Sequence, residues 1–354
     1  LLLTAFITYM PVHEGCIKQH GIHWTKPGNI VTNGAFSLKT HLLNRKMRLV
    51  KSRTYWNHSG VRLKIIDVMP MESNNTAFNT YESGGADFSS NDLPVTIQEI
   101  MNKRSDYHND PWLGTYLYRF NVTRPPFNDV RVRKAMNMCI NREYIVKYIT
   151  RGGQRPTTLL VPPSLPGYKS PPEVPYNTDS ARSLLSQAGY ANGINFPKTE
   201  LLYNTFEHHK MIAEAVCHMW KKELGITVIP VNKEWKVLLE DMKNMNFSII
   251  RGSWIGDYPD PNTFIDMFVT NGGNNNTGWG CPLYDSLVFS AAREADNIKR
   301  MEIFRQAEYI LIHEGVCIMP IYFYVTTFLY RSNIHGIYPN PLGYIYLPCI
   351  WKES

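Results

Sequence analysis

The chain has 354 residues, 44% of them hydrophobic and 19% charged, with a formal net charge of +7. That length allows two domains and a sizeable core, and the composition excludes a disordered chain. The positive charge is scattered without a run of five or more Lys or Arg, so no nucleic-acid stripe is read from it.

The first ten residues form an apolar run too short to span a bilayer, with no basic segment before it and no small-residue cleavage pattern after it. The expectation is a core segment of a chain whose true start is missing. His13, Cys16, His20 and His23 follow within a short stretch, but their spacing fits no zinc geometry, so a surface helix and turn is expected there. From 32 to 87 apolar and polar residues alternate around an Asn33-Gly34 turn, which predicts strands of a mixed sheet, among them 47–51 and 61–68. Gly84 and Gly85 break the pattern, and a short helix is predicted at 95–101.

An aromatic strand is predicted over 111–121, then helices at 129–140 and 142–150. Seven prolines between 156 and 175 make an extended connector. A capped helix starts at Asp179 and stops at Gly189, placed for a left-handed turn. The clearest architecture follows: strand 200–203, helix 207–224, strand 226–231, helix 235–242 and strand 247–251. This β-α-β-α-β order implies a largely parallel sheet with right-handed crossovers. Ligands collect beyond the carboxyl ends of such strands, which puts 204–209 and 251–257 on one rim. Helices at 282–293 and 299–313 and a buried aromatic strand at 316–325 complete the pattern. The six cysteines, Cys16, Cys139, Cys217, Cys281, Cys317 and Cys349, form no C-x-x-C pair and mostly sit in apolar contexts, so buried free thiols are expected.

The stretch from Phe247 to Pro261 concentrates the chemistry. An apolar strand runs into Arg251, Gly252, Trp254, Gly256 and Asp257 before Pro259 and Pro261 stop it. Unpaired charges taken out of water cost several kcal/mol. Arg251 and Asp257 therefore either close the corner as an internal pair or meet a ligand with a cation at one end, an anion at the other and a peptide backbone between. Glycines let another backbone approach, and Trp254 offers a flat wall. Nucleophile elbows, phosphate loops, dinucleotide fingerprints and H-E-x-x-H are all absent from the sequence. His208 and His209 have no nucleophile placed by motif, so no enzyme activity, cofactor or metal is expected.

Six ordered segments carry a resemblance: Asn33-Gly-Ala-Phe36, Tyr55-Trp-Asn57, Pro126-Phe-Asn-Asp-Val-Arg-Val-Arg-Lys-Ala135, Ala181-Arg-Ser-Leu-Leu-Ser-Gln-Ala-Gly-Tyr190, Asn232-Lys-Glu-Trp-Lys236 and Trp254-Ile-Gly-Asp-Tyr-Pro-Asp-Pro261. Together they resemble the extracellular solute-binding proteins of peptide ABC importers, family 5, and within them the oligopeptide-binding proteins. The resemblance implies an α/β, two-lobed periplasmic-binding-protein-like fold of type II. Its first lobe would comprise 1–113 and 326–354, and its second 114–325. It also implies that an amino-terminal portion, with a signal peptide and a small third lobe, is missing.

By the same resemblance Asp257 holds a peptide's ammonium, and the backbone of Arg251, Gly252, Ser253, Trp254 and Ile255 receives the peptide as an added strand. Trp235 and Trp254 line pockets, Tyr324 stands near a hinge, and Arg251 and His209 serve the carboxyl end. The implied partners are short peptides and a membrane-embedded ABC importer permease, with no nucleic acid. The implied state is a monomer, periplasmic or lipid-anchored at the cell surface. Two departures stand out. A family arginine is replaced by Met242, beside Lys243, and a family disulfide would join positions that are here Gly114 and Ile255. A folded remnant without binding activity, and a relative for another solute such as a metal chelate or haem, are the competing expectations.

Overall fold

The computed structural model describes residues 9–90, 93, 97–101 and 103–353. Residues 1–8 of the core segment expected at 1–10, and the first residues of the helix predicted at 95–101, lie outside them; the described end of that segment, Tyr9 and Met10, is exposed and not core. The chain divides into two units: the described residues up to Asp110 together with those from Thr326 onward, and Pro111–Val325. The fold is mixed α/β throughout.

In the first unit α1 (Glu14–His20) is capped by His13, whose Nδ1 accepts the Cys16 N–H at 3.0 Å. The Cys16 thiol is buried and donates to the Asn29 carbonyl at 3.0 Å. Two members of the His/Cys cluster thus serve local structure. Strands β1 (Phe36–Leu42), β2 (Lys46–Lys51) and β3 (Ile65–Val68) form a three-stranded sheet in that order. Both pairings are antiparallel, which corrects the expected mixed sheet. A three-residue turn, Leu43 to Arg45, joins β1 to β2, which leaves only an antiparallel pairing open to them; the 13-residue connection from β2 to β3 does not by itself fix their direction. The third strand starts at Ile65, not at Val61, because its ladder with β2 runs only from Ile65 opposite Val50 to Val68 opposite Met47.

Helix α2 (Asn74–Glu82) lies inside the region read as alternating strand. Its signal was present: Ser73 accepts the Thr76 N–H, and the buried Ala77 and Tyr81 are spaced one turn apart. The short strand β4 (Phe88–Ser89) and helix α3 (Gln98–Met101) lead to β5 (Tyr107–Phe120), which continues into the second unit.

There α4 (Val130–Met138) is capped by Asp129, and α5 (Arg142–Tyr144) passes into a π-helical turn that ends at Arg151 with φ 53°. After β6 (Arg155–Pro156) the Pro-rich connector has no regular structure, as expected. Its backbone is held by Glu308, which accepts the N–H groups of Leu160 and Val161 at 2.7 Å each. Helix α6 (Thr178–Gln187) follows, with Asn177 accepting the Ser180 N–H at 2.9 Å and Gly189 at φ 92° closing it. Replacing Asn177 with Ala should cost about 1 kcal/mol of unfolding free energy through the lost cap, measurable by urea denaturation; no change would remove the cap from the helix's energetics.

The predicted alternation is then observed as β7 (Thr199–Asn204), α7 (Glu207–Leu224), β8 (Val228–Lys233), α8 (Trp235–Lys243) and β9 (Ile249–Ile255). Strand β7 pairs in parallel with both β8 and β9, while β9 pairs antiparallel with β5. Three short elements lead back to the sheet: α9 (Asn262–Ile265), α10 (Pro282–Ala291) and α11 (Asn297–Tyr309), the last extended by π turns to Gly315. Strand β10 (Ile318–Tyr330) then lies beside β5, and β6 pairs with its first half. Back in the first unit, β4 joins the far end of β10, and β11 (Ile334–His335) pairs with β12 (Trp351–Lys352).

The core of the second unit holds Tyr116, Tyr118, Phe120, Val132, Ile212 and Trp220, all fully buried. The Trp220 indole donates to the Met136 carbonyl at 2.8 Å, so its one polar atom is satisfied. Two arginines in this unit are buried as structural struts. Arg133 donates to the carbonyls of Gly315, Val316 and Phe127, and Arg142 to those of Pro320, Asn137 and Ile140. They show what a structurally consumed guanidinium looks like in this protein.

Candidate functional site

Strand β9 is flanked on both sides only at its start. Its ladder with β7 covers Ile249 and Ile250, opposite Leu201 and Leu202, whereas its ladder with β5 runs on to Ile255 opposite Gly114. From 251 to 255, among the described residues, the β9 backbone is paired on the β5 side alone. The cause is the departure of β7 at Asn204 into the turn that begins α7. The rim expected from strand order therefore exists, and it bears a free strand edge.

Arg251 is buried at that rim. Its Nη2 donates to the Tyr324 hydroxyl at 2.9 Å, its Nη1 reaches Asn204 Oδ1 at 3.5 Å, and its guanidinium lies 4.8 Å from the centre of the Tyr116 ring. Among the described residues it has no carboxylate partner, and its buried Nε has no hydrogen-bond acceptor. The internal Arg251–Asp257 pair is not formed.

His209, in the first turn of α7, stands beside the same Tyr116 ring at 5.5 Å between centres. Burial, together with the charges of Arg251 and His208, pushes its imidazole down to about 3, and its buried Nδ1 has no partner among the described residues. The folded pKa lies below the ordinary 6.5, so the unfolded chain takes up this proton first. Stability owed to His209 is complete above pH 6.5 and is lost as pH falls towards 3. A His209→Gln variant should show a shallower fall of thermal midpoint between pH 6.5 and 4 than the parent chain. Parallel curves would mean that His209 does not titrate in folding.

Asp257 occupies the bend beyond β9. Its backbone N–H donates to Thr263 Oγ1 at 3.1 Å, and the Trp254 indole nitrogen lies 3.5 Å from the same hydroxyl. Its carboxylate makes no hydrogen bond or ion pair among the described residues, and partial burial pushes its pKa upward. The neighbouring Asp260 behaves differently, being buried in a two-pronged pair with Arg300 at 2.7 Å for each contact. One acid of the corner is consumed by structure and the other is left open.

The remaining candidates divide between the faces of β9. Ile255 lies on the face of Arg251 and Tyr324: a Cβ added at Gly114 would sit 2.4 Å from Ile255 Cδ1 and 3.1 Å from Tyr324. Gly252 faces the other way, where a Cβ would approach Leu117 at 3.0 Å and the Arg119 guanidinium at 3.2 Å. Trp254 shares that second face through its contact with Thr263, and Ser253 is half-buried between them. Trp235 stands at the start of α8, 46% exposed, beyond the carboxyl end of β8. Met242 packs against the cluster of Leu202, Leu238, Phe247 and Ile250, and Lys243 is exposed at the last turn of α8. All six cysteines are free thiols; Cys16, Cys139, Cys217 and Cys317 are buried as expected, whereas Cys281 is only half-buried and Cys349 is exposed.

Reading the sequence missed Tyr116 and Thr263. Tyr116 joins Arg251, His209, Tyr322 and Tyr324 into one cluster, its ring 4.9 Å from that of Tyr322 and 6.3 Å from that of Tyr324. Its signal was the period-two run Trp112, Tyr116, Tyr118 on β5. Thr263 had no sequence signal, since only the fold brings its hydroxyl under Asp257. Among the described residues no group of three or more His, Cys, Asp or Glu is placed to hold a metal ion. None of their helices is long and apolar enough to cross a membrane.

Comparison with known proteins adds a family. Residues 2–276 match the family described as bacterial extracellular solute-binding proteins, family 5. The oligopeptide-binding protein OppA of Bacillus subtilis is 34% identical over 97% of this chain, which spans 65% of that relative's length. Among solved structures, a periplasmic oligopeptide-binding protein of Borrelia burgdorferi, OppAIV, superposes with a TM-score of 0.86 at 32% identity, covering 98% of this chain and 70% of that one. Haemophilus influenzae OppA in complex with RPPGFSPFR superposes at 0.84 with 29% identity, covering 99% and 70%.

Proposed function

This chain belongs to the bacterial extracellular solute-binding proteins of family 5, and on that premise we propose that it binds short peptides in extended form and delivers them to a membrane-embedded ABC importer. The observation that carries the reading is a pair of unmatched charges. Among the described residues Arg251 is buried without an acid and Asp257 is half-buried without a base, and they stand at the two ends of a strand edge that is open on one side.

A peptide supplies what each of these groups lacks. Its ammonium meets Asp257, its backbone pairs with 251–255, and its carboxylate meets Arg251. Buried donors without acceptors cost about 1–3 kcal/mol each, and a carboxylate at Arg251 Nε and His209 recovers part of that. Trp235, Trp254 and Tyr324 border the path. Affinity then comes from backbone and termini, which leaves side-chain identity loosely specified. The protein carries out no covalent chemistry in this reading and works as a monomer in the periplasm or on the cell surface.

Calorimetric titration with tri-alanine, N-acetyl tri-alanine and tri-alanine amide tests the reading. Free tri-alanine should bind at micromolar or tighter Kd, and blocking either terminus should weaken it at least tenfold. Equal affinity for all three peptides would remove the charged termini from recognition. A folded chain that gives no heat with any of them would favour the folded-remnant alternative.

A further inference from the structure

The peptide reading leaves one more buried guanidinium unexplained. In the ladder between β5 and β9 Tyr118 stands opposite Arg251, so its neighbour Arg119 points to the other face of the sheet. Arg119 is 4% exposed. Its Nη1 donates to the Asn274 carbonyl at 2.8 Å, and its guanidinium carbon lies 5.6 Å from the centre of the Phe268 ring. Among the described residues that carbonyl is its only acceptor, no carboxylate pairs with it, and its buried Nε has no partner. Arg133 and Arg142, by contrast, each donate to three backbone carbonyls. Burial pushes the Arg119 pKa down to about 10, so the side chain still carries its charge at neutral pH.

Gly252 decides where that charge is offered. Its register partner is Leu117, and Arg119, two residues further on β5, shares their face. A Cβ at Gly252 would come within 3.2 Å of Arg119 Nε and 3.7 Å of its Cδ, so the arginine leans from β5 over β9 into the space that glycine leaves. Its head ends beneath Asn274, an exposed loop residue. On the far side of β9 lies the edge that is unpaired over 251–255 among the described residues. A strand added there stands about 4.8 Å outside β9 and turns alternate side chains to the Gly252 face. With no side chain at Gly252 in between, an acidic side chain on that face can meet the arginine head above β9. A buried cation without a counter-charge gains most from a carboxylate that pairs with it through charge-assisted hydrogen bonds. We propose that Arg119 is a specificity-determining residue, which selects peptides carrying Glu or Asp on the Gly252 face of the added strand by pairing their side-chain carboxylate through Nε and Nη2. This inference rests on the peptide reading and adds one side-chain preference to recognition by backbone and termini.

Calorimetric titration of the full chain at pH 7.5 tests it, with tri-alanine and with its analogues carrying a single Glu or a single Gln at the first, second or third position. At one position or more, the Glu peptide should bind at least tenfold tighter than its Gln counterpart. In Arg119→Met that preference should fall below threefold, while affinity for tri-alanine stays within threefold of the parent. The comparison of Glu with Gln is made on the parent chain, so it decides the matter even where the variant fails to fold. Binding of tri-alanine without a Glu preference at any position overturns the inference and leaves the peptide reading standing. A preference that survives in Arg119→Met also overturns it. Absence of binding by every one of these peptides overturns the peptide reading, and the inference with it.

Discussion

Replacing Asp257 with Asn should weaken tri-alanine binding by roughly 30- to 1000-fold while leaving the thermal midpoint of the free protein nearly unchanged. Removing one partner of a desolvated, hydrogen-bonded charge pair costs about 2–4 kcal/mol, and every 1.4 kcal/mol is tenfold in Kd. The fold should tolerate the change because, among the described residues, the carboxylate makes no hydrogen bond or ion pair that Asn would break, while the bend is anchored by the backbone N–H on Thr263. The raised pKa of Asp257 adds a pH dependence with a definite sign. Its carboxylate is lost at a higher pH than an ordinary aspartate, so affinity for a free amino terminus should decline early on acidification. N-acetylated tri-alanine, already weak, should be insensitive to both the substitution and the acid. A less than threefold effect of Asp257→Asn on tri-alanine would take the ammonium away from this residue.

Arg251→Met should have opposite effects on binding and on stability. In the free protein the guanidinium is buried with hydroxyl, amide and ring neighbours but, among the described residues, no carboxylate. Burying an uncompensated charge is unfavourable, and replacing buried charge by an apolar side chain of similar volume is often neutral or stabilising. The expected unfolding free energy is therefore equal to that of the parent or about 1 kcal/mol higher, measured in urea. Affinity for tri-alanine should fall at least 30-fold, since the peptide carboxylate loses a charge-assisted partner. Tri-alanine amide should change less than threefold, because its terminus never engaged the cation. A variant that unfolds readily and binds both peptides equally badly would assign Arg251 to the core, alongside Arg133 and Arg142. Those two differ visibly, since backbone carbonyls consume their donors.

Much of the second unit was legible because its signals are local. The elements from β7 to β9 announced themselves by runs of the right length and period. Asn177 and Gly189 bracket α6 through a side-chain acceptor and a left-handed φ, which are properties of single residues. The first unit was read less well. Helix α2 carries Thr and Asn residues that suit strands or turns as readily as helices, and its burial of Tyr81 depends on partners distant in sequence, among them Asp106 at 2.8 Å. The antiparallel order of β1, β2 and β3 was likewise hidden, because alternation reports that a strand has two faces and not which neighbour it meets.

The sequence by itself determined the alternation of strands and helices in the second unit, the breaks at glycine and proline, and the presence of one arginine and one aspartate flanking a strand end. It left open whether those two charges pair with each other. Only the tertiary structure decided that, by turning Arg251 towards Tyr324, Asn204 and Tyr116 from three other strands while Thr263 holds the Asp257 backbone at the bend. The physical reason is that helix and strand periodicity are set by neighbours a few residues apart. A buried charge's partner is set by whichever chain segments packing brings within about 4 Å, however far apart they lie in sequence.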